Sequence, residues 1–294
     1  MNANFTRLIS ILIELNNFSV ILLSGTGRRS FTKQVDVFQC KGYTVCCFGH
    51  VGQTKHSNKS CGCLIAVRTS SFSKIHTIYE PDGQIKGRAG AIRITRPDID
   101  ILLVCMYFPP DIGTNVKKTS QLVANWVRKI VGKVGNRCTV IFGGDPNAKV
   151  GYDSDGIQYF PHIGIQQPDK ENTNGMIFRE LMCDLHLTAV NTHYMLDPTF
   201  YSNSSSGINT RIDMIGVSTT VFNHKKVLSC NILNRSGDRL QPVKGIGRKD
   251  HRPVAMHLDI ALQYKGKLNN EKGLCMDALM RGVTKAGNHQ RFLQ

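Results

Sequence analysis

The chain has 294 residues, 41% of them hydrophobic and 20% charged, an ordinary balance for a globular protein with a real core and long enough to fold without disulfides. Thirty-seven lysines and arginines oppose 21 acids, giving +16 and a sequence pI near 9.5; this excess favours polyanionic partners such as nucleic acid or an anionic membrane surface without specifying a fold. The ten cysteines, at 40, 46, 47, 61, 63, 105, 138, 183, 230 and 275, form no paired C-x2-C or Cys/His spacing, which argues against structural zinc. Scattered thiols suit a reducing compartment, so a nuclear or cytoplasmic location is expected.

In chain order, Phe5, Leu8, Ile9, Leu12, Ile13 and Leu15 recur at near-helical spacing over 5–17, and 20–23 reads as a buried strand. Glu14, Asn16 and Asn17 break the apolar patches, so neither a spanning helix nor a signal peptide is expected, and no membrane partner. Residues 44–48 and 63–68 read as strands flanking a polar loop. Residues 90–95 and 99–107 read as a strand pair joined near Pro97, the second ended by Pro109 and Pro110. Leu122, Val123, Trp126, Val127, Ile130, Val131 and Val134 mark an amphipathic helix over 119–134, with Arg128, Lys129 and Lys133 on its other face. Residues 139–142 form an apolar β segment. Met176, Ile177, Phe178, Leu181, Met182 and Leu185 mark another helix, with Asn172 to Asn174 as candidate caps. Segments 187–191, 199–201, 211–217 and 254–260 supply later strands. The alternation of strands and helices without a long linker or repeat argues one α/β domain over 1–262, followed by a basic, loosely ordered tail, 263–294.

The most informative run is Gly143-Gly144-Asp145-Pro146-Asn147-Ala148, at the end of the 139–142 strand. If the chain stays extended, Asp145 and Asn147 point to one side, and Pro146, which has no N–H, places the pair beyond the strand. A carboxylate beside a neutral amide suits orienting a water or a metal against a phosphate. Gly, Asp, Pro and Asn are also the commonest turn formers, so a solvated turn is the competing reading. Tyr107-Phe108-Pro109-Pro110, Asn2, Arg211-Ile212-Asp213 and Asp250-His251-Arg252-Pro253-Val254 likewise lie at strand ends, where open α/β sheets gather active-site groups. Taken alone, Asp250-His251 reads as a surface pair and Tyr107 as a core tyrosine.

Six phrases in order, GRAGAIRI, VCMYFPP, GGDPNAKVG, NTHYMLDPTFYS, RIDMIGVS and KDHRPVAMHL, resemble the endonuclease/exonuclease/phosphatase superfamily over residues 2–260. They look closest to the endonuclease domains of non-LTR retrotransposons and host proteins derived from them. The resemblance implies a deoxyribonuclease I-like four-layer α/β sandwich, two packed mixed β-sheets flanked by helices, here with its first strand truncated because Met1 stands near that strand's end. It implies that Asp145 orients the attacking water, that Asn147 holds the phosphate, and that His251 contacts the scissile phosphate with Asp213 bonded to it. Tyr107 would face the phosphate, Asp250 and Asn2 would serve the metal site, and Asn191 and Arg211 would bind substrate. The implied cofactor is Mg²⁺ or Mn²⁺ and the implied partner is DNA, bound by a monomer. Two departures stand out: Pro146 replaces the usual Phe, and Gly25, in Leu23-Ser24-Gly25-Thr26, replaces the metal-binding Glu, so reduced metal affinity is expected. The expected function is an Mg²⁺-dependent endonuclease, weakened or inactivated at Gly25. The alternatives are a non-catalytic nucleic-acid-binding protein and a phosphatase for a small or lipid phosphoester.

Overall fold

Side chains alternate along the strand Ile99–Tyr107 and decide how the layers stack. Leu102, Val104 and Met106 enter one core, while Ile101, Leu103, Cys105 and Tyr107 enter another. A computed structural model describes residues 10–27, 35–50, 61–71, 75–96, 99–111, 115–135, 137–152, 161–201, 209–236 and 251–259. Their elements begin with helix α1 (residues 10–14), β1 (Val20–Leu23), β2 (Asp36–Cys40), β3 (Tyr43–Phe48), β4 (Cys63–Arg68) and β5 (Thr77–Tyr79). There follow β6 (Ala89–Arg96), β7 (Ile99–Tyr107), α2 (Val116–Val134), β8 (Thr139–Asp145), β9 (Gly151–Tyr152), β10 (Asp169–Lys170) and α3 (Thr173–Asp184). The last are β11 (Leu187–Ala189), β12 (Met214–Ser218), α4 (Thr219–Asn223), β13 (Val227–Ile232) and β14 (Val254–Leu258).

The larger sheet has six strands in the order β11-β12-β8-β7-β6-β5, with β7 and β8 parallel and the other pairs antiparallel. The smaller sheet, β1-β4-β3-β2, is antiparallel throughout rather than mixed. Val123, Val127 and Ile130 of α2, with Phe178 and Leu181 of α3, pack on Leu102, Val104 and Phe142 of the larger sheet. Between the sheets, Cys46, Phe48, Ile65 and Val67 meet Ile92, Ile94, Ile101 and Leu103, joined by Met256 and Leu258 of the β13–β14 pair. Leu12 and Leu15 cover the outer face of the smaller sheet at Val45, Leu64 and Ala66. The result is a four-layer α/β sandwich, as expected. Among the described residues no helix is long and apolar enough to cross a membrane.

Several boundaries differ from the sequence reading, each for a local reason. Helix α2 starts at Val116, three residues early, because Val116 is buried although Lys117 and Lys118 beside it interrupt the apolar pattern. The strand expected from 211 begins only at Met214. The Ile212 and Asp213 amides donate to Thr199 Oγ1, at 3.1 and 3.0 Å, instead of to a neighbouring strand. The strand expected over 187–191 ends at Ala189 and continues as a 3₁₀ turn, Val190–Thr192. In 199–201 only Phe200 bridges, to Thr210 and to His251. The described part of the N-terminal helix covers 10–14, and β14 ends at Leu258. Strands β2, β5 and β13 escaped the reading because their half-exposed residues leave no strong apolar run. The tail 263–294 and the truncated first strand with Asn2 lie outside the described residues.

Candidate active site

Parallel β7 and β8 end side by side, with Tyr107 paired to Asp145 in register and the Phe108 amide donating to the Asp145 carbonyl at 3.1 Å. Gly144 makes that ending possible. Its φ is +146° and a Cβ would collide with the Met106 carbonyl oxygen, so only glycine fits. Asp145 is therefore the last residue of β8 itself, 7% exposed, rather than a loop residue beyond it.

Asn147 does not continue the extended chain, as the same-side reading required. Its φ is +48°, left-handed, and the turn folds it back on Asp145. The Asn147 amide donates to Asp145 Oδ1 at 2.9 Å, and Asn147 Nδ2 donates to the Phe108 carbonyl at 2.9 Å and to Asp145 Oδ2 at 3.4 Å. The expected turn and the expected site pair are thus one object: an Asx-type turn that locks the carboxylate. The side-chain donors of Asn147 point into the protein here, and its Oδ1 makes no hydrogen bond among the described residues.

Antiparallel pairing of Met214 with Gly144 brings the residue before β12, Asp213, beside Asp145. His251 Nδ1 lies 3.0 Å from Asp213 Oδ2 and 3.2 Å from Oδ1. The Phe200 ring packs edge-on to the imidazole, centroids 5.1 Å apart, and their main chains bridge. One ligand atom from each of Asp145, Asp213 and His251 falls within 4.8 Å of the others. The larger sheet and the segment leading into β14 thereby assemble what the sequence scatters over more than a hundred residues.

Asn191 and Arg211, assigned to substrate by the resemblance, are spent on scaffolding in the arrangement seen. Asn191 is fully buried, its Nδ2 donating to the Asp213 carbonyl at 2.9 Å and its Oδ1 accepting from the Ile215 amide at 3.2 Å. Arg211 is 6% exposed; its terminal nitrogens donate to the carbonyls of Gln166, Asn191 and Leu196 and to Gln167 Oε1. Burial pushes its pKa down, opposed by Asp169. Both residues fix the turn that presents Asp213. Tyr107 is buried at the end of β7, where the Arg88 guanidinium lies 5.6 Å from its ring centroid and its amide donates to the Arg88 carbonyl at 2.8 Å. Arg88, Thr199 and Phe200 were not singled out from sequence, although all three lie inside the quoted phrases, Arg88 in GRAGAIRI and the other two in NTHYMLDPTFYS.

Gly25, at the position where the resemblance implies a metal-binding Glu, follows the end of β1. Cys105 Sγ donates to the Leu23 carbonyl at 3.2 Å, and Leu22 packs over Gly143, so that β1 ends against β7 and β8 two residues short of Tyr107 and Asp145. Two residues beyond β1, Gly25 has φ +67° and no side chain with which to ligate an ion. The donor chemistry still suits a divalent cation: two carboxylates and an imidazole converge, one of the carboxylates buried. Asp250 and Asn2 lie outside the described residues.

The chain is similar to an AP endonuclease from Archaeoglobus fulgidus at TM-score 0.55 and 16% identity, covering 86% of this chain and 93% of that one. It is similar to the AP endonuclease LMAP of Leishmania major at TM-score 0.56 and 14% identity, over 85% and 81% of the two chains. The 3′ phosphatase NExo from Neisseria, bound to a product DNA hairpin, aligns at TM-score 0.58 and 13% identity over 88% and 95%. The chain shares the fold of these three structures. No protein-family model and no curated protein sequence matches the chain. The likeness in fold thus holds at 13–16% identity, and Asp145, Asp213 and His251 meet at one end of the larger sheet.

Proposed function

We propose that this chain is a divalent-metal-dependent phosphodiesterase acting on DNA, with metal affinity weakened at Gly25. The observation that carries the reading is the convergence of buried Asp145 with the Asp213–His251 pair at the ends of β8 and β12. The +16 charge supports a polyanionic substrate. Kinship with non-LTR retrotransposon endonucleases is part of the same proposal and rests on the sequence phrases.

Asp145 is placed to accept a proton from the attacking water and aim its lone pair, its own orientation set by the Asn147 amide. Asp213 accepts the Nδ1 hydrogen of His251 and fixes the ring, directing Nε2 to the phosphoryl oxygens, where an imidazolium stabilises developing negative charge. Arg88 beside Tyr107 supplies a second cation at the same sheet end. The carboxylates of Asp145 and Asp213 would hold the metal, which would supply Lewis-acid polarisation of a phosphoryl oxygen, while His251 serves the phosphate.

Gly25 favours a second reading, a nucleic-acid-binding protein that no longer turns over. Incubating the purified chain with supercoiled plasmid, and separately with a phosphomonoester, in Mg²⁺ or Mn²⁺ tests the proposal. Nicking with little phosphomonoester hydrolysis supports it, and phosphomonoester hydrolysis alone assigns a phosphatase. Salt-sensitive DNA binding without hydrolysis of either identifies the non-catalytic protein.

A further inference from the structure

Helix α3 opens with Asn172-Thr173-Asn174-Gly175, and only the first asparagine is needed as a cap. Asn172 Oδ1 accepts the Gly175 amide at 2.7 Å and also the Lys149 amide at 3.0 Å. Asn174, the second residue of α3, is fully buried together with Ser120 of α2. Ser120 Oγ donates to Asn174 Oδ1 at 2.6 Å, which fixes the amide's orientation. Asn174 Nδ2 then donates to the Pro109 carbonyl at 2.8 Å and to the Asn147 carbonyl at 3.4 Å. Asn172 Nδ2 donates to the same Asn147 carbonyl at 3.1 Å.

A polar pair at a helix–helix contact costs desolvation that apolar packing avoids, so its place here calls for a role beyond joining α2 to α3. The acceptors supply it. Pro109 follows the end of β7, and Asn147 forms the turn after β8 that holds Asp145. Asn147 adopts a left-handed φ of +48°, a region that asparagine tolerates better than most side chains but that extended backbone still competes with. Two side-chain donors on one carbonyl hold that conformation. The approach leaves no slack, since a Cβ on Gly175 would collide with the Lys149 carbonyl.

We infer that Asn174, oriented by Ser120, is a positioning residue that sets the Asp145–Asn147 turn from behind; its effect on hydrolysis rests on the phosphodiesterase reading, its effect on the turn does not. Asn174→Ala removes the hydrogen bonds of Asn174 Nδ2 to the Pro109 and Asn147 carbonyls and leaves that of Asn172, and Leu181→Ala, in the same helix and apolar core, serves as a control of comparable destabilisation. Amide hydrogen exchange by NMR should show Asn147 and Lys149 exchanging about tenfold or more faster in Asn174→Ala, relative to Cys105 and Gly143 in the central ladder. Leu181→Ala at the same melting temperature should leave that ratio unchanged. If the parent hydrolyses DNA, Asn174→Ala lowers kcat by about 10²-fold with KM little changed, and Leu181→Ala does not. Equal loosening by both variants, no selective loosening at 147–149, or an unchanged kcat in Asn174→Ala overturns the inference. An inactive parent defeats the phosphodiesterase reading and leaves the exchange measurement to decide this one.

Discussion

His251 Nδ1 sits 3.0 Å from Asp213 Oδ2, and Asp213 is itself held by Thr199 Oγ1 at its amide and by Asn191 Nδ2 at its carbonyl. The carboxylate is therefore a fixed acceptor that chooses the tautomer and the direction of the imidazole. Asp213→Asn keeps the shape but presents either an amide or a weaker acceptor to Nδ1. Single-turnover DNA hydrolysis should fall by about 10²-fold with DNA affinity unchanged. A rate within a factor of two of the parent would mean that the pair is only structural.

Gly25 has φ +67°, so restoring a ligand there conflicts with the backbone. Gly25→Glu should lower stability by about 1–2 kcal/mol in denaturant titration, the usual disadvantage of a side chain in the left-handed region. The same variant should reach half-maximal activity at a divalent-ion concentration about 10-fold lower or less. Unchanged metal dependence would show that position 25 does not face the ion.

Gly144→Ala should prevent proper folding rather than merely slow hydrolysis. With φ +146° and the Met106 carbonyl in the way, a methyl must part β7 from β8 where they present Tyr107 and Asp145. A loss of about 3 kcal/mol or more is expected, read as insoluble expression or a large fall in melting temperature.

His193 supplies an acid-sensitive point away from the reacting groups. Burial lowers its pKa to about 4, opposed by the Nε2 hydrogen bond to the Pro161 carbonyl at 3.0 Å, and its ring packs on Phe222. Between the ordinary histidine value near 6.5 and about 4, the unfolded chain binds a proton that the folded chain does not. This contribution to stability is full above that window and is lost as pH falls through it. After discounting for partial exposure, the slope is at most about 1 kcal/mol per pH unit. His193→Phe should flatten the fall in melting temperature between pH 6.5 and 5; an unchanged fall would place the acid sensitivity elsewhere.

The central elements were legible in the sequence because burial on both faces writes a continuous apolar run: 20–23, 63–68 and 99–107 match β1, β4 and β7. The same reading missed β13 and began β12 too early, since Thr199 Oγ1, a side chain a dozen residues away, takes the hydrogen bonds of Ile212 and Asp213. At the site, Asp145, Asp213 and His251 were legible as residue types at strand ends. The left-handed turn at Asn147 was not, because it depends on donors from Asn172 and Asn174 that only packing of α3 brings near. The scaffolding duty of Arg211 was equally hidden, since its acceptors are main-chain carbonyls, which carry no sequence signal.

The central claim is that Asp145, Asp213 and His251 form a hydrolytic site. Relaxation of supercoiled plasmid by the purified chain, followed over a range of Mg²⁺ and Mn²⁺ concentrations beside a folded Asp145→Ala variant, tests it most directly. The account predicts metal-dependent nicked circles from the parent and none from the variant. Plasmid left supercoiled by the parent at every metal concentration, or equal nicking by both proteins, would contradict it.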